Sequence, residues 1–333
     1  MKKILLSAMV VAALASCSKR GAENPADPGN EIKATASALD VTSKAPITGN
    51  SFPSGAAIAR VIASESTASN GDYTKEYQSE RGGYMNFSDD SPKGFVDENG
   101  TTPNGKTYTG GIESVYLSAL YPHTGWGDQV TTAPVHVIDG KTDIMATDEI
   151  QTAKTKTGEL KFQHLLTQLQ IKARANDEAA IAAWGDITGI TLKGAAGTAL
   201  TNQVDVEFGN SMKSSCTGSI ESLPFFNQND QSDLSHTLTA DEMATQSTVA
   251  TCLAPAVDAT SGDEFQLIVT TEQGSTETLD ISLKQKNGNE FSGNTRNHAF
   301  TIELTFYATE IVATASIDPW TDAGSTQVDV GKN

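Results

Sequence analysis

The chain has 333 residues, with 23 lysines and arginines against 41 aspartates and glutamates and a formal net charge of −18. That excess argues against nucleic acid, whose phosphates need a basic face, and suits a soluble, non-sticky object at a cell surface. The length leaves room for two domains.

The chain opens MKKILLSAMVVAALASC: Lys2 and Lys3, an apolar run from Ile4 to Leu14, then small residues before a cysteine. This is the layout of a secretory signal, and the run is too short for a bilayer span, which takes about 20 apolar residues. Leu14-Ala15-Ser16-Cys17 resembles a lipobox. The resemblance implies cleavage between Ser16 and Cys17 and acylation of Cys17, which would anchor a soluble body to membrane lipid without a spanning helix. Residues 1–16 therefore read as signal peptide and residues 17–30, rich in Pro, Gly, Asn and charge, as a flexible tether.

The body shows period-two alternation in short runs: residues 57–63, 115–121, 169–173, 265–269, 279–283 and 298–306. In the last, Phe300, Ile302, Leu304 and Phe306 face one way and Thr301, Glu303 and Thr305 the other, as on a strand with one buried face. Such runs, separated by turn-rich segments, predict an all-β chain of antiparallel sandwiches. The best helix is 176–184, NDEAAIAAW, capped by Asn176 or Asp177. Polar segments at 64–83, 88–107 and 225–235 read as surface loops. A run of threonine and charge over 139–158 precedes a new apolar pattern at Leu160, which divides the body into 31–158 and 159–333.

Catalytic patterns are missing: no GxSxG, P-loop, HExxH or CxxC occurs. His123, His136, His164, His236 and His298 are dispersed, which suits packing or surface roles better than metal ligation. Asp89-Asp90 and the acidic stretch 229–233 lack EF-hand spacing and read as solvated loops. No enzyme, cofactor or metal is expected. Cys216 and Cys252 pair as one disulfide or stay as two buried thiols, and sequence alone leaves both open.

Thr142-Asp143-Ile144-Met145-Ala146, followed by the stretch from Leu160 through Phe162 and His164 to Ile171, resembles the central signature of the fimbrillin-like (Mfa-like, type V pilin) surface lipoproteins of Bacteroidales. Tyr121-Pro122, Phe291 to Leu304, and Ala315 to Trp320 resemble further family segments in the family's order. The resemblance implies two transthyretin-like β-sandwich domains in tandem and a fimbrial subunit held at the cell outer membrane through acylated Cys17. A protease would remove an N-terminal strand, here residues 31–41, and the groove would accept a strand from another subunit. An open edge of unpaired backbone makes that exchange physically reasonable. The candidate processing residues are Lys44, where the family carries an arginine, and Arg60, the nearest arginine downstream. The candidate donor is the short tail Thr326 to Val330. Phe162 and His164 would share one face, in the second domain's core or at the domain interface. The alternative functions are a non-polymerising surface lipoprotein that binds a host or bacterial glycan or protein, and a secreted hydrolase.

Overall fold

The computed structural model describes residues 30–38, 58–64, 82–89, 91–108, 111–127, 134–259, 263–285 and 289–318. Each alternating run forms a strand: Ile58–Ser64, Ser114–Tyr121, Thr167–Ala175, Asp263–Thr271, Thr276–Ser282 and Ala299–Phe306. Among the described residues one α-helix forms, Glu178–Trp184. Asp177 caps it by accepting from the Ala180 amide at 2.9 Å, and Gly185 ends it at φ 65°, a backbone angle that favours glycine. Its buried face, Ala180 and Trp184, rests on the neighbouring core, and the Trp184 indole donates to the Tyr307 carbonyl at 2.6 Å. The chain is all-β.

The first sheet runs Ala34–Ala38, Gly158–His164, Met145–Thr147, Ser114–Tyr121, Ile58–Ser64, Gly83–Asn86 and Phe95–Val96, with Ile150–Ala153 as a second partner of Ser114–Tyr121. Its inner face supplies a core of Val61, Met85, Phe95, Leu117, Leu160 and Phe162, among others. Ile62, Leu120 and Ala146, one residue out of phase with that face, join the second core instead. This follows from the two-residue period: neighbouring side chains serve opposite faces, and here both faces are covered.

The second core lies between two further sheets. One orders Phe226–Asn227, Ala250–Ala254, Thr167–Ala175, Ala299–Phe306 and Ile311–Asp318; the other orders Leu223–Pro224, Ile187–Gly194, Asp263–Thr271 and Thr276–Ser282. Leu169, Ile171, Phe300, Ile302 and Leu304 from the first meet Ile190, Leu192, Phe265, Leu267 and Val269 from the second in one cluster.

Several expectations need correcting. The pairing is not wholly antiparallel: Ala34–Ala38 runs parallel to Gly158–Phe162, and Gln168–Ala175 parallel to Ala299–Phe306. Segment 88–107 is more than a surface loop, because it contributes the strand Phe95–Val96 and the buried Phe95. Segment 225–235 likewise buries Phe225 and Leu234. Phe162 packs in the first core, edge-to-face with Phe87 at 6.2 Å, because its strand pairs with Met145–Thr147 of the first sheet. Apart from these corrections, Gly158 opens the strand Gly158–His164 of the first sheet, Thr167–Ala175 belongs to the five-stranded sheet, and Val135–Val137 already pairs with Gln203–Asp205 in a separate three-stranded sheet.

Candidate functional site: a strand held along both edges

The sequence IKATASA over residues 32–38 alternates apolar and hydroxylated residues, so a strand there can bury one row and wet the other. Ile32 and Ala34 are 1% and 0% exposed, and Ala36 packs against the first core. On one flank the strand lies parallel to Gly158–Phe162, in register Ala34 to Gly158 through Ala38 to Phe162. On the other, Ala34 exchanges backbone hydrogen bonds with Lys93 at 3.0 and 2.8 Å, and the Ile32 amide donates to the Lys106 carbonyl at 3.0 Å. The Tyr108 amide donates to the Asn30 carbonyl at 2.9 Å, and the Asn30 side chain returns a bond to the Tyr108 carbonyl at 2.9 Å. The segment thus bridges the two ends of the first sheet.

Side chains add to these backbone bonds. Thr152 donates its hydroxyl to the Lys33 carbonyl at 2.6 Å and accepts from the Gly158 amide at 3.2 Å, tying the strand to its neighbour. Thr35 donates to the Gly158 carbonyl at 3.4 Å and Ser37 to Glu159 Oε1 at 2.7 Å. Two glycines make room: a Cβ at Gly94 would collide with the Glu31 carboxylate, and one at Gly158 would sit 2.6 Å from the Gln151 carbonyl. The Lys93 segment is itself fixed locally. Lys93 Nζ lies 2.6 Å from Asp89 Oδ2, and this bond, with those from Ser91, holds the Asp89 carboxyl well below the usual carboxylate range. Burial pushes the Tyr108 phenol up.

Of the residues singled out in the sequence, Ser16, Cys17, Lys44, Asp90, Trp320 and Thr326 to Val330 lie outside the described residues, as do residues 39–41 of the N-terminal strand. Arg60 stands in mid-strand, paired with Tyr84 on one side and Leu120 on the other. Cys216 and Cys252 are free thiols on strands of different sheets, and burial raises the pKa of both. Asp230 forms a local turn by accepting from Ser232. Among the described residues no group of three or more His, Cys, Asp or Glu could hold a metal ion.

Sequence reasoning missed a buried pair. His164 Nδ1 lies 2.9 Å from the Asp143 carboxylate, with His164 wholly buried and Asp143 nearly so. Twenty-one residues separate them, and cross-strand pairing of Met145 with His164 brings them together. Burial, then the Asp143 charge, pushes the nearby Tyr121 phenol up to about 12. Elsewhere a cleft of about 860 Å³ opens in the second half of the chain, lined among others by Leu200, Met212, Cys216, Val257, Phe265 and Arg296.

A family model described as fimbrillin-like matches residues 44–320. Among solved structures, a candidate cell adhesion protein from Bacteroides uniformis is similar at TM-score 0.57 and 11% identity, covering 87% of this chain and 99% of that one. A second, from Bacteroides ovatus, is similar at TM-score 0.53 and 16% identity, covering 88% and 98%. At those identities the likeness is one of fold. No curated protein sequence matches the chain.

Proposed function

The chain belongs to the fimbrillin-like family, and from that premise we propose that it is a structural and adhesive subunit of a cell-surface fimbria, exported as a lipoprotein through Cys17 and assembled by strand exchange. One observation carries this reading: residues 30, 32 and 34 are bonded to Tyr108, Lys106 and Lys93 on one flank and residues 34–38 pair with 158–162 on the other, while Ile32 and Ala34 plug the first core. Removal of that strand would leave two rows of unpaired backbone groups and an apolar slot. Burying Ile32 alone contributes about 1.5–3 kcal/mol, so a vacated slot gives a strong drive for another strand to enter.

Cleavage near Lys44 would cut the covalent link between this strand and the rest of the chain. Arg60 is a poor substrate as it stands, because its backbone is paired on both sides. Membrane attachment would rest on acyl chains at Cys17; among the described residues no helix is long and apolar enough to cross a membrane, which says nothing of β-barrels. Tandem transthyretin-like domains, divided where the chain changes sheets, accord with the two cores.

Electron microscopy and mass spectrometry of material sheared from cells test this function. The expected result is filaments containing this chain with a mature N-terminus near residue 45, and filaments lacking it would count against the proposal. Cys17→Ala should leave a folded protein released from the membrane; detergent-phase partition that survives the substitution refutes lipid anchoring. The 860 Å³ cleft favours a second reading, a non-polymerising lipoprotein that holds a glycan or peptide. Adhesion by filament-free cells that is lost in Arg296→Ala would support it.

A further inference from the structure

The chain as a whole carries a formal net charge of −18, yet the lining of the 860 Å³ cleft balances two cations, Lys213 and Arg296, against two carboxylates, Asp258 and Glu264. Lys213 lies 3.6 Å from Glu207, and Asp258 Oδ1 accepts from Asn294 Nδ2 at 2.7 Å. The Arg296 guanidinium has only a neutral partner among the described residues, the Ser214 hydroxyl, to which it donates at 2.9 Å. Its remaining N–H donors form a planar fork that matches a carboxylate. Resting on the cleft of the second reading above, we propose that this cleft binds a saccharide bearing a carboxylate, and that Arg296 takes the carboxylate.

The segment that carries Arg296 is fixed before any ligand arrives. The Arg296 amide donates to Asn294 Oδ1 at 2.9 Å. Thr295, wholly buried, shares a hydroxyl bond of 2.6 Å with Thr167 and accepts from the Val257 amide at 2.9 Å. Asn297 follows in left-handed backbone at φ 60°, and its amide donates to the Leu166 carbonyl at 3.1 Å. On the facing wall Ser214 belongs to the edge strand Lys213–Thr217, so the bond from Arg296 ties two walls of the cleft together. A cation held in place this way loses little freedom when a ligand binds.

The rest of the lining favours a sugar over a peptide. Leu165, Leu200, Met212 and Phe265 are 1%, 3%, 4% and 0% exposed, so they close the floor and offer no open apolar slot to a peptide side chain. Thr198, Ser215, Asn294 and Asp258 are exposed along the cleft instead. Hydroxyl, amide and carboxylate groups together donate and accept, which suits the hydroxyls of a sugar ring. The cleft's volume falls within the range of about 300–1,000 Å³ usual for small-ligand sites.

The test uses the full, uncleaved chain with Cys17→Ser, so its outcome does not depend on strand exchange. Cys252 is fully buried, which leaves the half-buried Cys216 in the cleft as a reporter whose reaction with a thiol reagent a bound ligand should slow. The probes are sialyllactose and tri-galacturonate, each beside its methyl ester, and a short acidic peptide of alanine and aspartate. At least one acidic sugar should protect Cys216 and bind about tenfold or more tightly than its ester. Arg296→Gln should erase that preference and Arg296→Lys keep part of it. Equal binding of sugar and ester by the parent chain overturns the proposal whether or not the variants fold, as does a preference that survives in folded Arg296→Gln. Protection by the peptide and by neither sugar overturns the saccharide but keeps the cleft reading, and protection by no probe brings down both.

Discussion

The N-terminal strand Ala34–Ala38 and the C-terminal strand Ile311–Asp318 carry nearly the same sequence but are attached in opposite ways. The first finds its partners far along the chain, at residues 93, 106, 108 and 158–162, and is bonded on both flanks. The second folds back on its immediate predecessor as a hairpin, in register from Phe306–Ile311 to Ala299–Asp318. Contacts of the first kind survive a backbone cut only as a non-covalent complex, which can dissociate. A hairpin strand stays tethered whatever happens at the other end of the chain. The N-terminal strand is thus held by distant partners, and the C-terminal one by its own hairpin.

The sharpest way to break this comparison is to remove what the N-terminal strand rests on. Phe162, opposite Ala38 on the neighbouring strand, is fully buried in the first core, and Phe162→Ala should cost about 3–5 kcal/mol, read as a lower midpoint in denaturant melts, with the first core failing before the second. A midpoint shift shared equally by probes in both cores would show that the halves do not melt separately.

Thr152→Val keeps the shape but removes the hydroxyl that donates to the Lys33 carbonyl and accepts from the Gly158 amide. The expected loss is about 1–3 kcal/mol, since both backbone groups lose a partner. Hydrogen exchange at residues 34–38 should accelerate while that of 311–318 stays unchanged.

A smaller and more discriminating contrast is Ala34→Val against Ala313→Val. Ala34 is fully enclosed, so the added methyls should cost about 1–3 kcal/mol. Ala313 is only partly buried, so the same change there should cost less than about 1 kcal/mol. Equal effects in thermal melts would mean that the N-terminal slot is looser than its burial implies.

Much of the fold was legible because the long strands alternate cleanly, and the helix at Glu178–Trp184 was visible from Asp177 and the run of alanines after it. Short pieces such as Val135–Val137 and Met145–Thr147 were not, since three residues cannot show a period. Nor was parallel pairing, because nothing local in residues 34–38 says which distant strand they will meet. Phe95 was hidden in a polar segment where one aromatic gives no pattern. The groove was legible in part: residues 31–41 stood out as a strand, but the Lys93, Lys106 and Tyr108 bonds that close its far side depend on tertiary structure. The repeat of IKATAS as IVATAS needed no structure at all and was open to a self-comparison of the chain.

The central claim is that residues 30–38 form an exchangeable strand, and light scattering of the full chain before and after cleavage at a site placed behind Lys44 tests it most directly. The account predicts a monomer before the cut, then release of the N-terminal fragment and growth of oligomers that increases with protein concentration. A cleaved chain that keeps its fragment, or loses it and stays monomeric at high concentration, would contradict it.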